Sequence, residues 1–193
     1  MPEAAETARK GAGHLVLVVG PSGAGKDSLI EAARLALKDL PQFVFPRRII
    51  TRRSDPGSED HVTVSEAEFA QQQAAGAYFL HWGAHELRYA LPGSITDALA
   101  TGRTVIANVS RNVIAQARQR HPATTVIFVT APQEVLERRL LARGREGVEA
   151  VRRRLARSAA QPEGPGVVTI VNDGPLEASV ERFLAVLKAP TTA

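Results

Sequence analysis

Residues Gly20-Pro21-Ser22-Gly23-Ala24-Gly25-Lys26 carry the spacing G-x-x-x-x-G-K. Glycines let a backbone wrap closely around an anion with its amide hydrogens turned inward. A helix that begins there adds its positive N-terminal end, and a lysine closing the loop reaches the β- and γ-phosphates of a nucleoside triphosphate. Gly20, Pro21, Ser22, Gly23, Ala24, Gly25 and Lys26 are therefore expected to hold ATP, with Lys26 also serving catalysis. The alternative, a glycine-rich turn with a chance lysine, leaves unexplained the apolar strand pattern before the loop and the helical pattern after it.

The residue after such a lysine is usually Ser or Thr, whose hydroxyl ligates Mg²⁺. Here it is Asp27. Ser28 follows in the expected ATP-binding stretch, but one helical step turns a side chain by about 100°, so its hydroxyl should not replace the usual one. A carboxylate is itself a good Mg²⁺ ligand. Asp27 is expected to hold the metal, directly or through water, and to count among the catalytic residues. A second reading makes it a favourable negative charge at a helix N-terminus without metal contact.

The elements that must position this loop follow from periodicity. Leu15 to Val19 is short, apolar and β-branched and ends in glycine, as a buried parallel strand does. Leu29, Ile30, Ala33 and Leu37 then share one helical face, and Pro41 ends the run. Arg47 to Val64 is basic, then polar, and broken by Pro56 and Gly57, which suggests strands and loops outside the main sheet. Ser65 with Glu68 is a capping box, so a helix should run from Glu66 to Ala75, with a strand from Ala77 to Trp82 and a short helix from Ile95 to Ala100. Further core strands are expected over Arg103–Val109, Thr125–Val129 and Val167–Val171. Helices are expected over Asn112–Arg120, Gln133–Ala142, Glu149–Arg157 and Leu176–Leu187. Apolar strands alternating with helices predict an α/β fold with a central parallel sheet covered on both faces.

The chain of 193 residues suits one domain over 14–187, with a frayed tail at 1–13 and another at 188–193. An apolar fraction of 44% supports a sizeable core. Without cysteine there is no disulfide framework, thiol nucleophile or cysteine metal site. The start lacks the pattern of a secretory signal and no apolar run approaches a membrane span, so a cytoplasmic protein without membrane contact is expected. The net charge of +4, mostly from arginine, fits either a solvated basic surface or a phosphate-rich partner. The basic residues are not interleaved with aromatics as a stacking groove for nucleic acid would require, so no nucleic-acid partner is expected.

The order of the remaining motifs from Leu15 to Leu187 resembles the guanylate kinase-like branch of the nucleoside monophosphate kinases. The pieces are the loop itself, then Ile50-Thr51-Arg52, Glu59-Asp60-His61, Val64-Ser65 with Glu68-Phe69, Phe79-Leu80-His81-Trp82, Arg88-Tyr89, Arg138-Arg139-Leu140 with Arg143-Gly144-Arg145-Glu146, and Val171-Asn172-Asp173. The resemblance implies a P-loop NTPase three-layer sandwich, an inserted acceptor-binding lobe at about 47–92 and an arginine-rich lid at about 138–147. It implies that Arg52, assisted by Tyr89, binds the acceptor phosphate, with Asp60 in the same lobe. It places Asn172 near the adenine. Lid arginines, Arg139 and Arg143 among them, would stabilise charge on the transferring phosphoryl group and exclude water. A solvated basic helical face is the alternative for several of these arginines.

The departures from that family carry information. His81 stands where its guanine-reading glutamate falls, and Ser110 where a second guanine-reading aspartate falls. A carboxylate accepts the paired donors on guanine's N1 and N2 edge, whereas neutral imidazole and hydroxyl do so poorly. His81 alone could be a satisfied structural histidine. Asn108 occupies the place where an acidic residue often ends the second core strand.

These departures resemble a narrower branch whose members phosphorylate ribose 1,5-bisphosphate in phosphonate degradation. Lys26-Asp27 and the Asn108-to-Arg111 turn are the most discriminating matches, beside Arg48-Ile49-Ile50-Thr51-Arg52, Leu80-His81-Trp82, Ala84-His85 and Leu87-Arg88-Tyr89. That resemblance implies a kinase making 5-phosphoribosyl 1-diphosphate and ADP from ATP, with Mg²⁺ as cofactor. A sugar bisphosphate suits a pocket with Arg52, His81, His85, Arg88, Tyr89, Asn108, Ser110 and Arg111. A nucleoside monophosphate kinase with altered base preference, or an inactive binding module of the same fold, are the competing expectations.

Overall fold

The computed structural model describes residues 13–52, 60–84, 86–142, 155 and 161–189. Its architecture grows from β1 (His14–Val19), whose side chains alternate between two hydrophobic cores. Leu15, Leu17 and Val19 enter one, while Val16 and Val18 enter the other. Burial on both faces is why the strand reads as an unbroken apolar run. β1 pairs in parallel with β7 (Thr104–Asn108) on one side and β8 (Thr124–Thr130) on the other. β2 (Phe43–Val44) and β9 (Val167–Val171) complete a parallel sheet ordered β2-β7-β1-β8-β9.

Helices cover both faces of this sheet. α1 (Lys26–Ala36), α5 (Gln133–Ala142) and α6 (Leu176–Lys188) pack on one through Leu29, Ala33, Leu136, Leu140, Phe183 and Leu187. α3 (Ile95–Ala100) and α4 (Ile114–Arg120) pack on the other through Ile95, Leu99, Ile114 and Ala117. The result is the three-layer α/β sandwich that the strand–helix alternation implied. β2 has only two residues, too few for a pattern to announce it. The helix expected from Asn112 begins as a 3-10 turn, Arg111–Val113, before α4. The stretch from 143 to 154, including half of the expected lid, and the rest of the helix expected at 149–157 apart from Leu155, lie outside the described residues.

The insert after β2 forms a second sheet ordered β4-β3-β6-β5, from β3 (Arg48–Ile50), β4 (His61–Thr63), β5 (Tyr78–Ala84) and β6 (Leu87–Pro92). The sequence reading did not isolate β6, because Leu87 to Pro92 mixes apolar, basic and aromatic residues. The two sides of this sheet have different partners. Ile50, Leu80, Trp82, Tyr89 and Leu91 join the same core as Leu15 and Leu17 of β1. Ala90 and Tyr78 face Phe69 of α2 (Glu66–Ala74), which is held by the capping box of Ser65 and Glu68. A register shift between Tyr78 and Leu80 lets β5 serve both cores, since strict alternation would put those two on one face. Arg120 of α4 donates to the carbonyls of Tyr78 and Phe79 there and lies over the Phe79 ring. The lobe is thus tied to the sandwich by a shared core and by a cation.

Among the described residues no helix is long and apolar enough to cross a membrane.

At the opposite end of the sheet from the loop, His14 Nε2 lies 2.9 Å from Thr125 Oγ1, and His121 Nε2 donates to the Gly13 carbonyl at 2.7 Å. Burial, reinforced by the neighbouring His121, holds His14 below its ordinary value of 6.5. The unfolded chain therefore takes up this proton more readily than the folded one. His14 contributes its stability above its ordinary value and loses it as pH falls through that value towards the lowered folded one. Urea unfolding at about pH 7.5 and about pH 5.5 should show wild-type stability declining over this window and His14→Gln declining less. Equal declines for both proteins would show that His14 does not drive the dependence.

Candidate active site

The carboxyl ends of β1, β7, β8 and β9 converge where the chain leaves β1 for α1. After β1 the chain runs to β2 at one edge of the sheet, and after the neighbouring β8 it runs to β9 at the other, so the strand order reverses between β1 and β8, the place where ligands bind in open α/β sheets. The loop there turns so tightly that two glycines are required by position. Gly20 has φ +146°, and a Cβ on it would sit 2.0 Å from the carbonyl oxygen of Val129 on β8. Gly25 has φ +90°, and a Cβ would sit 2.4 Å from Nδ2 of Asn172. Gly25 is also the N-cap of α1, which has no side-chain cap hydrogen bond among the described residues. The first amides of the helix face the loop as a ready anion site. α2, by contrast, caps its own start.

Lys26 Nζ donates to the carbonyls of Gly20 and Pro21 at 2.9 and 3.0 Å, so the lysine folds back over the loop it closes. Asp27 is exposed in the first turn of α1. Its Oδ1 accepts a hydrogen bond of 2.6 Å from Nδ2 of Asn108, the last residue of β7. Among the described residues no three His, Asp or Glu side chains converge as a metal site. The Asp27 carboxylate could hold a divalent cation together with phosphate oxygens, and such a donor set would suit Mg²⁺ and its preference for few protein ligands. Asp27 retains acceptor capacity beyond its bond to Asn108.

On the other side of the loop lies a cavity of about 300 Å³ lined by Gly23, Gly25, Ser28, Arg139 and Asn172, among others. Asn172 is 3% exposed, and its Nδ2 donates to the Ala24 carbonyl at 2.8 Å. That bond orients the amide, and the buried Oδ1 has no hydrogen-bond partner among the described residues. Arg139 of α5 donates to the Asn172 carbonyl at 2.9 Å and lies 3.5 Å from that of Gly23. Arg139 therefore sits against the Asn172 side of the loop, while Arg138 is exposed. Arg143 lies outside the described residues.

In the lobe, Arg52 follows β3. Its carbonyl accepts from Thr63 Oγ1 at 3.0 Å and lies 3.1 Å from His61 Nε2. Its own Nε is buried and has no hydrogen-bond partner among the described residues. His61, 3% exposed, stands in the sequence only within the Glu59-Asp60-His61 motif, and its place beside Arg52 depends on cross-strand pairing that periodicity does not reveal. The other expected acceptor residues divide between the two faces of the sheet. Tyr89 stacks on Trp82, with centroids 5.6 Å apart and planes 7° apart, and the Arg48 guanidinium lies 5.4 Å from the Tyr89 centroid. This trio is on the side of the shared core. His81, opposite Ala90 in register, and Arg88, over the Phe69 ring, are on the α2 side. Asp60 pairs with Arg47 at 2.9 Å on the surface. Ser110 Oγ caps the 3-10 turn, and Arg111 lines a separate cavity beside Arg118 and Glu163. His85 lies outside the described residues. Arg48 is the lobe cation that sequence reasoning left unassigned, because only the register shows it stacked on Tyr89.

A family model described as guanylate kinase matches residues 12–189. The chain belongs to the guanylate kinase family. It is 49% identical over 173 residues to the ribose 1,5-bisphosphate phosphokinase PhnN of Brucella melitensis, covering 89% of this chain and 90% of that protein. It is 45% identical over 177 residues to the protein of the same name from Methylobacterium radiotolerans, covering 92% and 98% of the two. The solved guanylate kinase of Anaplasma phagocytophilum matches with a TM-score of 0.66 at 18% identity, over 95% of this chain and 88% of that one. That likeness supports the fold alone.

Within this guanylate kinase fold, Asn172 fastens the end of β9 to the loop. Replacing its amide by a carboxylate would set an acceptor against the Ala24 carbonyl. Asn172→Asp should destabilise the protein by about 1–3 kcal/mol, the cost of losing a buried donor, and should weaken ATP binding. Denaturant unfolding and calorimetry measure the two effects. Unchanged stability would mean that the Asn172–Ala24 bond does not hold the loop.

Proposed function

We propose that this chain transfers the γ-phosphoryl group of ATP to the 1-phosphate of ribose 1,5-bisphosphate, giving 5-phosphoribosyl 1-diphosphate and ADP. The observation that carries this reading is the 49% identity, over nine-tenths of both chains, to a protein named as a ribose 1,5-bisphosphate phosphokinase. His81 and Ser110, where guanine-reading carboxylates would stand, support it.

An oxygen of the 1-phosphate forms the new bond to the γ-phosphorus while the bond to the bridging oxygen of ADP breaks, and ADP leaves with that electron pair. A phosphate monoester has its second pKa near 6, so this nucleophile is largely deprotonated at neutral pH and needs no general base. The remaining requirements are charge neutralisation and alignment. The amides of the loop and of the α1 start cradle the donor phosphates, and Lys26 exchanges the carbonyls of Gly20 and Pro21 for phosphate oxygens. The buried Nε of Arg52, without a partner among the described residues, takes an oxygen of the acceptor phosphate. Asn172 and Arg139 flank the nucleotide on the far side of the loop. Asp27 holds Mg²⁺, which when bound shields the charge of the β- and γ-phosphates.

³¹P NMR of the protein with Mg-ATP should show ADP and a new C1 diphosphate signal from ribose 1,5-bisphosphate, and little GDP from GMP. Efficient GDP formation with an unreacted sugar bisphosphate would overturn the assignment. Arg52→Ala should raise the KM for the sugar bisphosphate by roughly 10–150-fold, as loss of a charged hydrogen bond of about 1.5–3 kcal/mol implies, with ATP affinity retained. Lost ATP affinity with an unchanged acceptor KM would reverse the placement of the two phosphates.

A further inference from the structure

Asn108 and Asp27 are 81 residues apart in the chain and meet at 2.6 Å. Each departs from the usual P-loop arrangement, in which the loop hydroxyl and a strand-end aspartate hold Mg²⁺ together. Here the loop position carries the carboxylate, and the strand end carries an amide. We propose that the two departures are one exchange: the metal-holding carboxylate has moved from the end of β7 to the start of α1, and Asn108 is the positioning residue that fixes its orientation.

Three observations support the exchange. The pair keeps a single negative charge at the site, so the triphosphate faces the same net charge as in the usual arrangement. The contact is directional, since of the amide's two ends only Nδ2 can donate to a carboxylate. The contact is also anchored on both sides. Asn108 pairs with Val18 in the β1–β7 register, and the next amide, of Val109, donates to the Val18 carbonyl at 3.1 Å. Asp27 stands in the first turn of α1, whose Leu29 is fully buried. Two rigid elements therefore hold an exposed carboxylate that would otherwise rotate freely. A fixed second partner of this kind raises metal affinity by orienting the ligand. This role rests on the placement of Mg²⁺ at Asp27 proposed above and is independent of the acceptor's identity.

The test is Mn²⁺ affinity, read by electron paramagnetic resonance, in the complex of the full chain with a non-hydrolysable ATP analogue. Asp27→Ala should weaken Mn²⁺ binding, and Asn108→Ala should weaken it by about 10-fold, the lower end for partners of metal ligands. The double variant should bind little worse than Asp27→Ala alone, because Asn108 acts through the carboxylate. Affinity for the metal-free analogue should not fall in any of them. Asp27→Ser/Asn108→Asp, which restores the usual arrangement, should bind Mn²⁺ more tightly than Asp27→Ser. An unaffected Asp27→Ala would remove the metal from Asp27 and the present role with it. A weakened Asp27→Ala beside an unaffected Asn108→Ala, multiplying effects in the double variant, or no recovery in the exchanged pair would overturn the positioning role alone.

Discussion

The loop between β1 and α1 must pass within contact of β8 and β9 while turning its amides towards an anion, and much of the site depends on that close passage. At Gly20 the neighbouring backbone leaves no space for a Cβ, and at Gly25 the obstacle is the amide of Asn172. The same closeness gives Asn172 its bond to Ala24 and puts Arg139 on the carbonyls of Asn172 and Gly23. Leaving α1 without a side-chain cap completes the arrangement. In α2 the Glu68 amide is taken by the Ser65 side chain, whereas the start of α1 has no such side-chain cap and can offer its amides to a ligand.

How much of this the sequence discloses follows from the range of the interactions. The loop, β1 and α1 are contiguous, so spacing and periodicity reveal them. The capping box of α2 is local as well and stands as read. β2 and β6 escape, the first because two residues carry no period, the second because its pairing on both sides makes burial a property of its neighbours. The family resemblance supplied the lobe as an insert. It did not supply the division of the lobe's side chains between two cores, which depends on the register shift in β5.

The candidate site divides along the same line. Gly20 to Lys26 could be placed by type and spacing alone. Asn108 could be named as a departure, but its contact with Asp27 is a product of parallel pairing between β1 and β7 and has no sequence period. His61 is similar. Its buried ring lies next to the Arg52 carbonyl because β3 and β4 run side by side, and their separation in the sequence hides that adjacency.

Lys26 and Arg52 meet their ligands from different starting states. Lys26 already donates to two carbonyls, so binding a phosphate exchanges one set of hydrogen bonds for another, and the gain comes from the charge of the acceptor. Arg52 has a buried donor with no partner among the described residues and a carbonyl held by Thr63 beside His61, so its backbone is ordered before any ligand arrives. A buried unpaired donor costs free energy that an incoming oxygen recovers. On the proposed reading this asymmetry makes the acceptor side the more demanding of the two. ATP meets a lysine that is already hydrogen-bonded, whereas the acceptor phosphate meets an Arg52 Nε that has no hydrogen-bond partner among the described residues. A water molecule could satisfy Nε as well, but without the charge that strengthens the bond to a phosphate, so discrimination between solvent and substrate at Arg52 rests on that charge.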